Sequence, residues 1–240
     1  MPEQNLTKKE KYDIDKGKKA EEVISAQKKK KTKRILMWFL VMAAISASVL
    51  GLIKLSARPS DNQSAAIIDA ISSSDWIKGN KEAKTILVEY SDFQCPACAV
   101  YYPLVKKLIE DKGNSFQFTY RHFPLPQHKN AEQAAYAAEA AGKQGKFWEM
   151  HDLIFERQDD WAEAENAKDI FKEYAQSLEL NIEQFNQDRD SQAVKDKVQK
   201  DYTSGLTNKV NATPTFFLNG EKIQPRSYDE FVNFIKSVNG

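Results

Sequence analysis

Cysteine and histidine are scarce in this chain, which has two cysteines and three histidines among 240 residues. The cysteines, Cys95 and Cys98, are separated by two residues, and the sequence has no second pair of this kind. A closed zinc site needs about four such ligands, so the scarcity argues against zinc and we expect no bound metal. A purely structural disulfide is another alternative, but so short a loop constrains the unfolded chain little. A reactive dithiol is the interpretation we favour.

Large apolar residues are almost missing from residues 1–34, which hold 12 Lys or Arg against 6 Asp or Glu. This composition is typical of a disordered tail, and six of the positive charges lie in Lys28–Arg34. No aromatic residue interleaves with that run, so we interpret it as a topology signal at a membrane and expect no nucleic-acid partner. Binding of nucleic acid or anionic lipid is the alternative.

Long apolar runs are also rare, and the one that stands out is Ile35–Ile53. At about 1.5 Å per residue it nearly spans a bilayer core of about 30 Å. We predict a transmembrane helix over 35–55 and a linker over 56–75. The preceding positive charges predict a basic cytoplasmic tail over 1–34 and an extracytoplasmic remainder, in a single-pass protein of the cell membrane. A cleaved signal peptide is the alternative to this uncleaved signal anchor.

The two cysteines come directly after a predicted strand and at the start of a predicted helix. Residues 85–90 are β-branched and apolar, which predicts a buried strand. Residues 97–111 carry apolar side chains at helical spacing, and Gly113 offers a stop. Cys95 is therefore predicted at a helix N-terminus, where free N–H groups favour a thiolate, so we expect it to be exposed, acidic and nucleophilic. Cys98 lies one turn further on and is predicted to form a disulfide with it, so that the pair exchanges two electrons.

The rest of the chain supplies the elements of an α/β domain. Residues 116–121 alternate like a strand, and helical patterns fill most of the stretch 128–207. An Asn-Gly pair at 219–220 predicts a hairpin, and a capping box at Ser227–Glu230 opens a last helix. This order predicts a thioredoxin-like fold over 76–240 with a helical insertion at about 128–207, preceded by one N-terminal transmembrane helix.

Three motifs occur in order: Ile86–Cys98, Tyr120–Leu125 and Ala212–Phe216. Together they resemble the DsbA-like thiol–disulfide oxidoreductases, and their membrane-anchored members most of all. The resemblance covers residues 76–240. It implies a catalytic domain whose active centre is the pair of cysteines.

The resemblance also implies roles for individual residues. Cys95 corresponds to the attacking thiol and Cys98 to the buried resolving thiol. Thr213 and Pro214 correspond to a cis-proline element beside the disulfide, where the Thr213 backbone pairs with an extended substrate segment. Glu89 corresponds to a carboxylate beneath the active site that exchanges a proton with the resolving thiol. An ordinary salt-bridged strand residue is the alternative for Glu89.

One position departs from the family pattern and leaves the oxidising power open. Ala97 stands where the best-known oxidases of the family carry a histidine that stabilises the thiolate. We predict an extracytoplasmic enzyme that donates the Cys95–Cys98 disulfide to unfolded or reduced proteins, and that needs no cofactor beyond this redox-active disulfide. The resemblance implies an integral membrane redox partner of the quinone-reducing type, and we expect a monomer. The alternatives are a disulfide reductase or isomerase on the same fold, and a membrane-tethered peptide-binding chaperone.

Overall fold

The structure is a computed structural model that describes Met37 and residues 71–239. The predicted tail over 1–34, the predicted membrane helix over 35–55 apart from Met37, and most of the predicted linker lie outside the described residues. Among the residues that are described, no helix combines the length and the apolar character needed to cross a bilayer.

A five-stranded mixed sheet forms the centre of the domain, in the order β1-β3-β2-β4-β5. β2 and β3 are parallel, whereas the other neighbouring pairs are antiparallel. Parallel neighbours require a crossover connection, which here is helix α1, Pro96–Lys112. The strands are β1 Trp76–Gly79, β2 Ile86–Ser91, β3 Gln117–His122, β4 Thr215–Leu218 and β5 Glu221–Ile223.

A helical insertion separates β3 from β4, as the sequence predicts for about 128–207. Its helices are α2 Ala131–Lys143, α3 Phe147–Glu156, α4 Gln158–Trp161, α5 Ala167–Ser177, α6 Ile182–Asp190 and α7 Gln192–Thr207. The last helix, α8 Tyr228–Asn239, follows β5. The β4–β5 hairpin turns at Asn219 and Gly220, whose φ angles of 48° and 89° are both positive, as a two-residue type I′ turn requires. The predicted thioredoxin-like α/β fold is therefore confirmed.

Aromatic rings join the insertion to the sheet. Trp76 of β1 stacks on Phe147 of α3 with ring centroids 4.4 Å apart, and Tyr120 of β3 meets His151 edge-on at 4.8 Å. A Cβ atom on Gly142 would overlap the Trp76 ring, so only glycine allows α2 to approach β1 this closely. Phe147 is only 1% exposed, and burying a phenylalanine ring so completely contributes about 1.5–3 kcal/mol. The insertion is thus held firmly beside the end of the sheet where the cysteines lie.

A buried ion pair attaches the start of the domain to the sheet. Asp75, one residue before β1, lies 3.1 Å from the Arg121 guanidinium on β3, and the two side chains are 3% and 4% exposed. Arg121 also donates a hydrogen bond to the Tyr90 hydroxyl of β2 at 3.1 Å. Removing one partner of a buried pair costs about 3–5 kcal/mol, because the other charge is left uncompensated. Asp75 is therefore a structural part of the domain.

Candidate active site

The turn between β2 and α1 places Cys95 at the N-cap of α1, with Pro96 as the first helical residue. The missing N–H of proline costs nothing at this position, where no intrahelical partner exists. Asp92 fixes the turn, because its backbone carbonyl accepts the Cys95 N–H at 3.1 Å and its carboxylate accepts the Gln94 N–H at 2.7 Å. The same carboxylate lies 2.6 Å from His128 Nδ1. The loop that presents the first cysteine is thus held by a buried carboxylate.

The two cysteines are free thiols in this structure, and both are buried. Cys98 is completely buried, as the resemblance implies, but Cys95 is only 7% exposed. The expectation of an exposed Cys95 is therefore wrong. The physical reason is the chain around Thr213, which covers the sulfur: the Thr213 carbonyl oxygen lies 3.4 Å from Cys95 Sγ. Pro96 and Ala97 remain exposed, so the face around the sulfur is still open to a partner.

The Thr213–Pro214 peptide bond is cis, as the family resemblance implies. It directly precedes β4, which pairs with β2 in antiparallel register with Tyr90 opposite Thr215. This pairing brings the end of β2, and with it Cys95, to a segment 118 residues further along the chain. The sheet therefore assembles the predicted pair of cysteines and the predicted cis-proline element at one place.

The Cys95 thiol is strongly acidified. A hydrogen bond from the Cys98 thiol, one from Thr213, and the backbone N–H groups of Cys98 and Ala97 together lower the pKa of Cys95 to about 5, although burial opposes them. The Thr213 hydroxyl is buried and has no hydrogen-bond partner within the described part of the chain, so it is available to the sulfur. The donors all stabilise the thiolate over the thiol. Cys95 is consequently an anion at neutral pH, without any histidine between the cysteines.

The pKa values of Cys98 and Glu89 are raised, in contrast to the lowered pKa of Cys95. Burial raises the pKa of the Cys98 thiol well above its usual range, and the negative charges of Cys95 and Glu89 raise it further. Burial also raises the pKa of the Glu89 carboxyl on β2 to about 7, since this side chain is only 4% exposed. Glu89 has no ion-pair partner among the residues that the structure describes. Its geometry therefore favours a proton carrier over a salt-bridged strand residue.

A narrow pocket leads from Glu89 towards charged side chains. It is bordered by Lys78 on β1, Lys106 on α1, and His151 and Asp152 on α3. Lys106 Nζ lies 3.2 Å from Asp152 Oδ2, which closes one side of the pocket with an ion pair. The buried Glu89 carboxyl therefore shares one pocket with charged side chains of β1, α1 and α3.

Sequence reasoning missed an amide clamp that the insertion places on the cysteine loop. Gln158 of α4 donates from Nε2 to the carbonyl oxygens of Phe93 and Cys95, at 2.6 and 3.2 Å. On the other side, the Gln94 side-chain oxygen accepts the Asn130 backbone N–H at 2.7 Å. No spacing or composition signal marks these side chains, because each partner is a backbone group more than thirty residues away.

A separate cluster of potential metal ligands lies between β3 and the insertion. Among the described residues, His122, Glu139 and Asp201 form the one group of three such side chains, and neither cysteine belongs to it. His122 Nε2 lies 2.9 Å from Glu139, while Lys197 Nζ lies 2.6 Å from Asp201 and 3.8 Å from Glu139. The lysine ammonium provides the positive charge that these buried carboxylates require. The cluster therefore has a sufficient explanation as an ion-pair network.

Known proteins share this domain. The thioredoxin family model matches residues 72–237. Two Na⁺/H⁺ antiporters match part of the chain: NhaA 3 of Salinispora tropica is 38% identical over 149 residues, and NhaA of Herminiimonas arsenicoxydans is 39% identical over 155. Those matches cover 62% and 65% of this chain but only 22% and 24% of the antiporters. The chain thus spans about a quarter of the length of these curated relatives.

Two solved structures have the same fold. Oxidised BdbD from Bacillus subtilis is 26% identical with a TM-score of 0.61, covering 68% of this chain and 92% of BdbD. α-DsbA1 from Wolbachia pipientis is 22% identical with a TM-score of 0.62, covering 71% of this chain and 93% of that one. At 22% identity, the similarity to α-DsbA1 supports the fold only. The family model and these structures confirm the resemblance inferred from the three motifs, and the chain belongs to the thioredoxin family, among its DsbA-like thiol–disulfide oxidoreductases.

Proposed function

We propose that this protein is an extracytoplasmic dithiol oxidase that donates the Cys95–Cys98 disulfide to reduced or unfolded proteins. The observation that carries the proposal is the opposite acidity of the two sulfurs, with a Cys95 pKa of about 5 and a Cys98 pKa far above the usual range. A stable Cys95 thiolate stabilises the reduced form of the protein. The disulfide is then a stronger oxidant, because its reduction is more favourable.

The first step is attack on Cys95. A substrate thiolate forms a bond to the Cys95 sulfur, the Cys95–Cys98 bond breaks, and the electron pair leaves on Cys98. The raised Cys98 pKa means that this sulfur takes up a proton readily. Glu89, with a pKa of about 7, holds a proton to give at neutral pH and below. The products are a mixed disulfide on Cys95 and a Cys98 thiol.

The second step releases the product. A second substrate thiolate attacks the substrate sulfur of the mixed disulfide, and Cys95 departs as a thiolate. A thiol of low pKa is a good leaving group, so the acidified Cys95 favours release. Two electrons have then passed from the substrate to Cys95 and Cys98. The Thr213 carbonyl is adjacent to Cys95 and is placed to accept a backbone N–H from an extended substrate.

The membrane position and the partner belong to the same proposal. The basic tail over 1–34, the apolar run at 35–55 and the linker over 56–75 support an uncleaved anchor that keeps the domain 76–240 outside the cytoplasm. An anchored, monomeric donor remains beside an integral membrane redox partner that accepts its electrons, in a compartment where disulfides persist. We assign no ion transport to this chain, since it matches only the smaller part of the antiporters.

Stoichiometric transfer tests the function. The oxidised full-length chain is mixed with a reduced, unfolded test protein that carries two cysteines, and the thiols of both are counted with time. The proposal expects one disulfide to form within the test protein for each Cys95–Cys98 pair that is reduced. A chain that binds the unfolded protein while both sets of thiols stay unchanged would instead support the chaperone alternative.

A further inference from the structure

A groove opens at the sheet edge beside the cis proline. We call it the cis-proline groove; its volume is about 290 Å³ and it lies where the β4–β5 ladder ends. Its lining includes Tyr101 of α1, Pro214, Phe216 of β4, and the β5 segment with Lys222 and Ile223, followed by Arg226. The role proposed for it below depends on the redox function proposed above.

The groove begins one residue from the reactive sulfur. Pro214 borders it, and the preceding residue, Thr213, has its carbonyl oxygen 3.4 Å from Cys95 Sγ. A polypeptide bonded to Cys95 and paired with the Thr213 backbone therefore continues across Pro214 into the groove. The side chains that enter it are those within a few residues of the substrate cysteine, because an extended chain advances about 3.3 Å per residue.

The floor of the groove is apolar and preorganised. The Tyr101 ring lies 5.6 Å from the Phe216 ring, and Phe216 packs edge-on against Phe231 of α8 at 5.0 Å. The Tyr101 hydroxyl donates to the Pro225 carbonyl at 2.9 Å, which ties α1 to the loop after β5. A floor that is already ordered costs little conformational entropy on binding.

The rim of the groove carries two positively charged side chains. Lys222 and Arg226 are exposed, and none of the described residues that line the groove carries a carboxylate. Neither side chain forms an ion pair within the part of the chain that the structure describes. The carboxylate of Glu230 is close in sequence, but it accepts the backbone N–H of Arg226 at 2.8 Å as part of the capping box at the start of α8. Two cations thus border the same groove as the apolar Tyr101–Phe216 floor.

We infer that the cis-proline groove selects substrate segments that carry an acidic residue close to the reactive cysteine, with Lys222 and Arg226 as the specificity-determining residues. A carboxylate at the rim meets two unpaired cations, while neighbouring apolar side chains rest on the Tyr101–Phe216 floor. Complementary charge at an exposed rim raises the rate of encounter more than the final affinity. The selection therefore acts on the rate of mixed-disulfide formation and weakens with salt.

Matched peptides measure this selection. Each reduced peptide has one cysteine and either Glu or Gln at one of the three positions on each side of it, and the rate of mixed-disulfide formation with the oxidised full-length chain is followed at low and high salt. The proteins compared are the unaltered chain, the double variant Lys222→Gln/Arg226→Gln, and the control Lys81→Gln. Lys81 is exposed and lies before β2, at the opposite end of the sheet from Cys95.

At low salt we expect Glu to accelerate the reaction of the unaltered chain about five-fold at one position or more, which corresponds to about 1 kcal/mol. The double variant should lose this ratio, high salt should reduce it, and Lys81→Gln should retain it. Comparing ratios between proteins cancels the direct effect of Glu on the peptide thiol. Equal rates for Glu and Gln, or a preference that survives in the double variant, would overturn the inference alone. If neither peptide reacts, the proposed redox function fails and the inference with it.

Discussion

The two ends of the CxxC turn occupy opposite environments, although one helical turn separates them. Cys95 lies at the start of α1, where backbone N–H groups, the Cys98 thiol and Thr213 surround its sulfur with donors. Cys98 lies inside, with no exposed surface and with the charge of Glu89 acting on it. Both residues are buried, yet the pKa falls for one and rises for the other. The comparison teaches that hydrogen-bond donors lower the pKa of Cys95 against the effect of burial, whereas burial dominates at Cys98 and keeps that thiol protonated.

Replacing each thiol with serine should give the sharpest contrast. Cys95→Ser removes the sulfur that is attacked, so we expect no mixed disulfide and no disulfide donation. Cys98→Ser keeps the acidic thiol but removes the resolving one, so it should also lose turnover while accumulating a stable mixed disulfide when a disulfide-bonded peptide is supplied. Mass spectrometry without reductant measures the adduct. Equal adduct yields from the two variants would contradict the assignment of roles.

Glu89→Gln tests the buried environment of Cys98, because it removes the carboxyl group that acts on that thiol. The folded-state pKa of Glu89 is about 7 against an ordinary value of 4.5, so the folded chain keeps a proton that the unfolded chain loses between these pH values. Stability should therefore fall as the pH rises from about 4.5 to 7, by about 3 kcal/mol. Glu89→Gln should remove this fall, as measured by denaturant unfolding of the reduced chain at several pH values.

The control for that experiment is Glu110→Gln, which changes an exposed carboxylate on α1. It should keep the pH dependence of the unaltered chain. A Glu89→Gln profile that still falls by the same amount would show that folding does not raise the pKa of Glu89, and would remove its role as a proton carrier.

Thr213→Val tests the environment of Cys95, and we expect a smaller effect because only one hydrogen-bond donor to the sulfur is removed. Valine has nearly the shape of threonine but no hydroxyl, so the thiolate loses one donor while the cis-proline segment keeps its packing. We expect the pKa of Cys95, about 5 in the unaltered chain, to rise by about one unit, since a hydrogen bond to a charged group is worth about 1.5–3 kcal/mol. The ultraviolet absorbance of the thiolate follows the titration, with Cys95→Ser as the blank. An unchanged midpoint would assign the acidity to the helix N-terminus and Cys98 alone.

Gln158→Ala should give the smallest effect and separates positioning from acidity. The variant removes the donor to the Phe93 and Cys95 carbonyls, so we expect the free energy of unfolding to fall by about 1 kcal/mol. The Cys95 titration should move little, because the donors to the sulfur remain. The rate of mixed-disulfide formation should fall if the clamp positions the loop. Gln158→Glu is the matched comparison, since it keeps the length but replaces the amide donor with a carboxylate.

The sequence was informative where local chemistry decides the structure. The apolar strand before the cysteines, the helical spacing after them and the Asn-Gly turn each specify a backbone conformation within a few residues, and all three were predicted. The resemblance supplied the cis bond at Pro214. The burial of Cys95 was not predictable in the same way, because the segment that covers it lies 118 residues away.

The side-chain networks of the insertion escaped prediction for a related reason. Gln158 and Gln94 have no periodic pattern, and the partner of each side chain is a backbone group of a distant segment, which every residue type would offer. In the sequence, Lys197 is indistinguishable from an exposed lysine on a helix. Only the fold brings it next to Glu139 and Asp201. Polar contacts between distant segments become visible only when the apolar core has set the positions of the backbones.

The reduction potential of Cys95–Cys98 tests the central claim most directly. The full-length chain is equilibrated with mixtures of reduced and oxidised glutathione, and the dithiol fraction is measured by alkylation. DsbA and thioredoxin mark the scale at about −120 and −270 mV, with 30 mV corresponding to about 1.4 kcal/mol. Because the donors around Cys95 stabilise its thiolate, the account predicts a value nearer to that of DsbA. A value close to that of thioredoxin would contradict the oxidase and favour the reductase alternative.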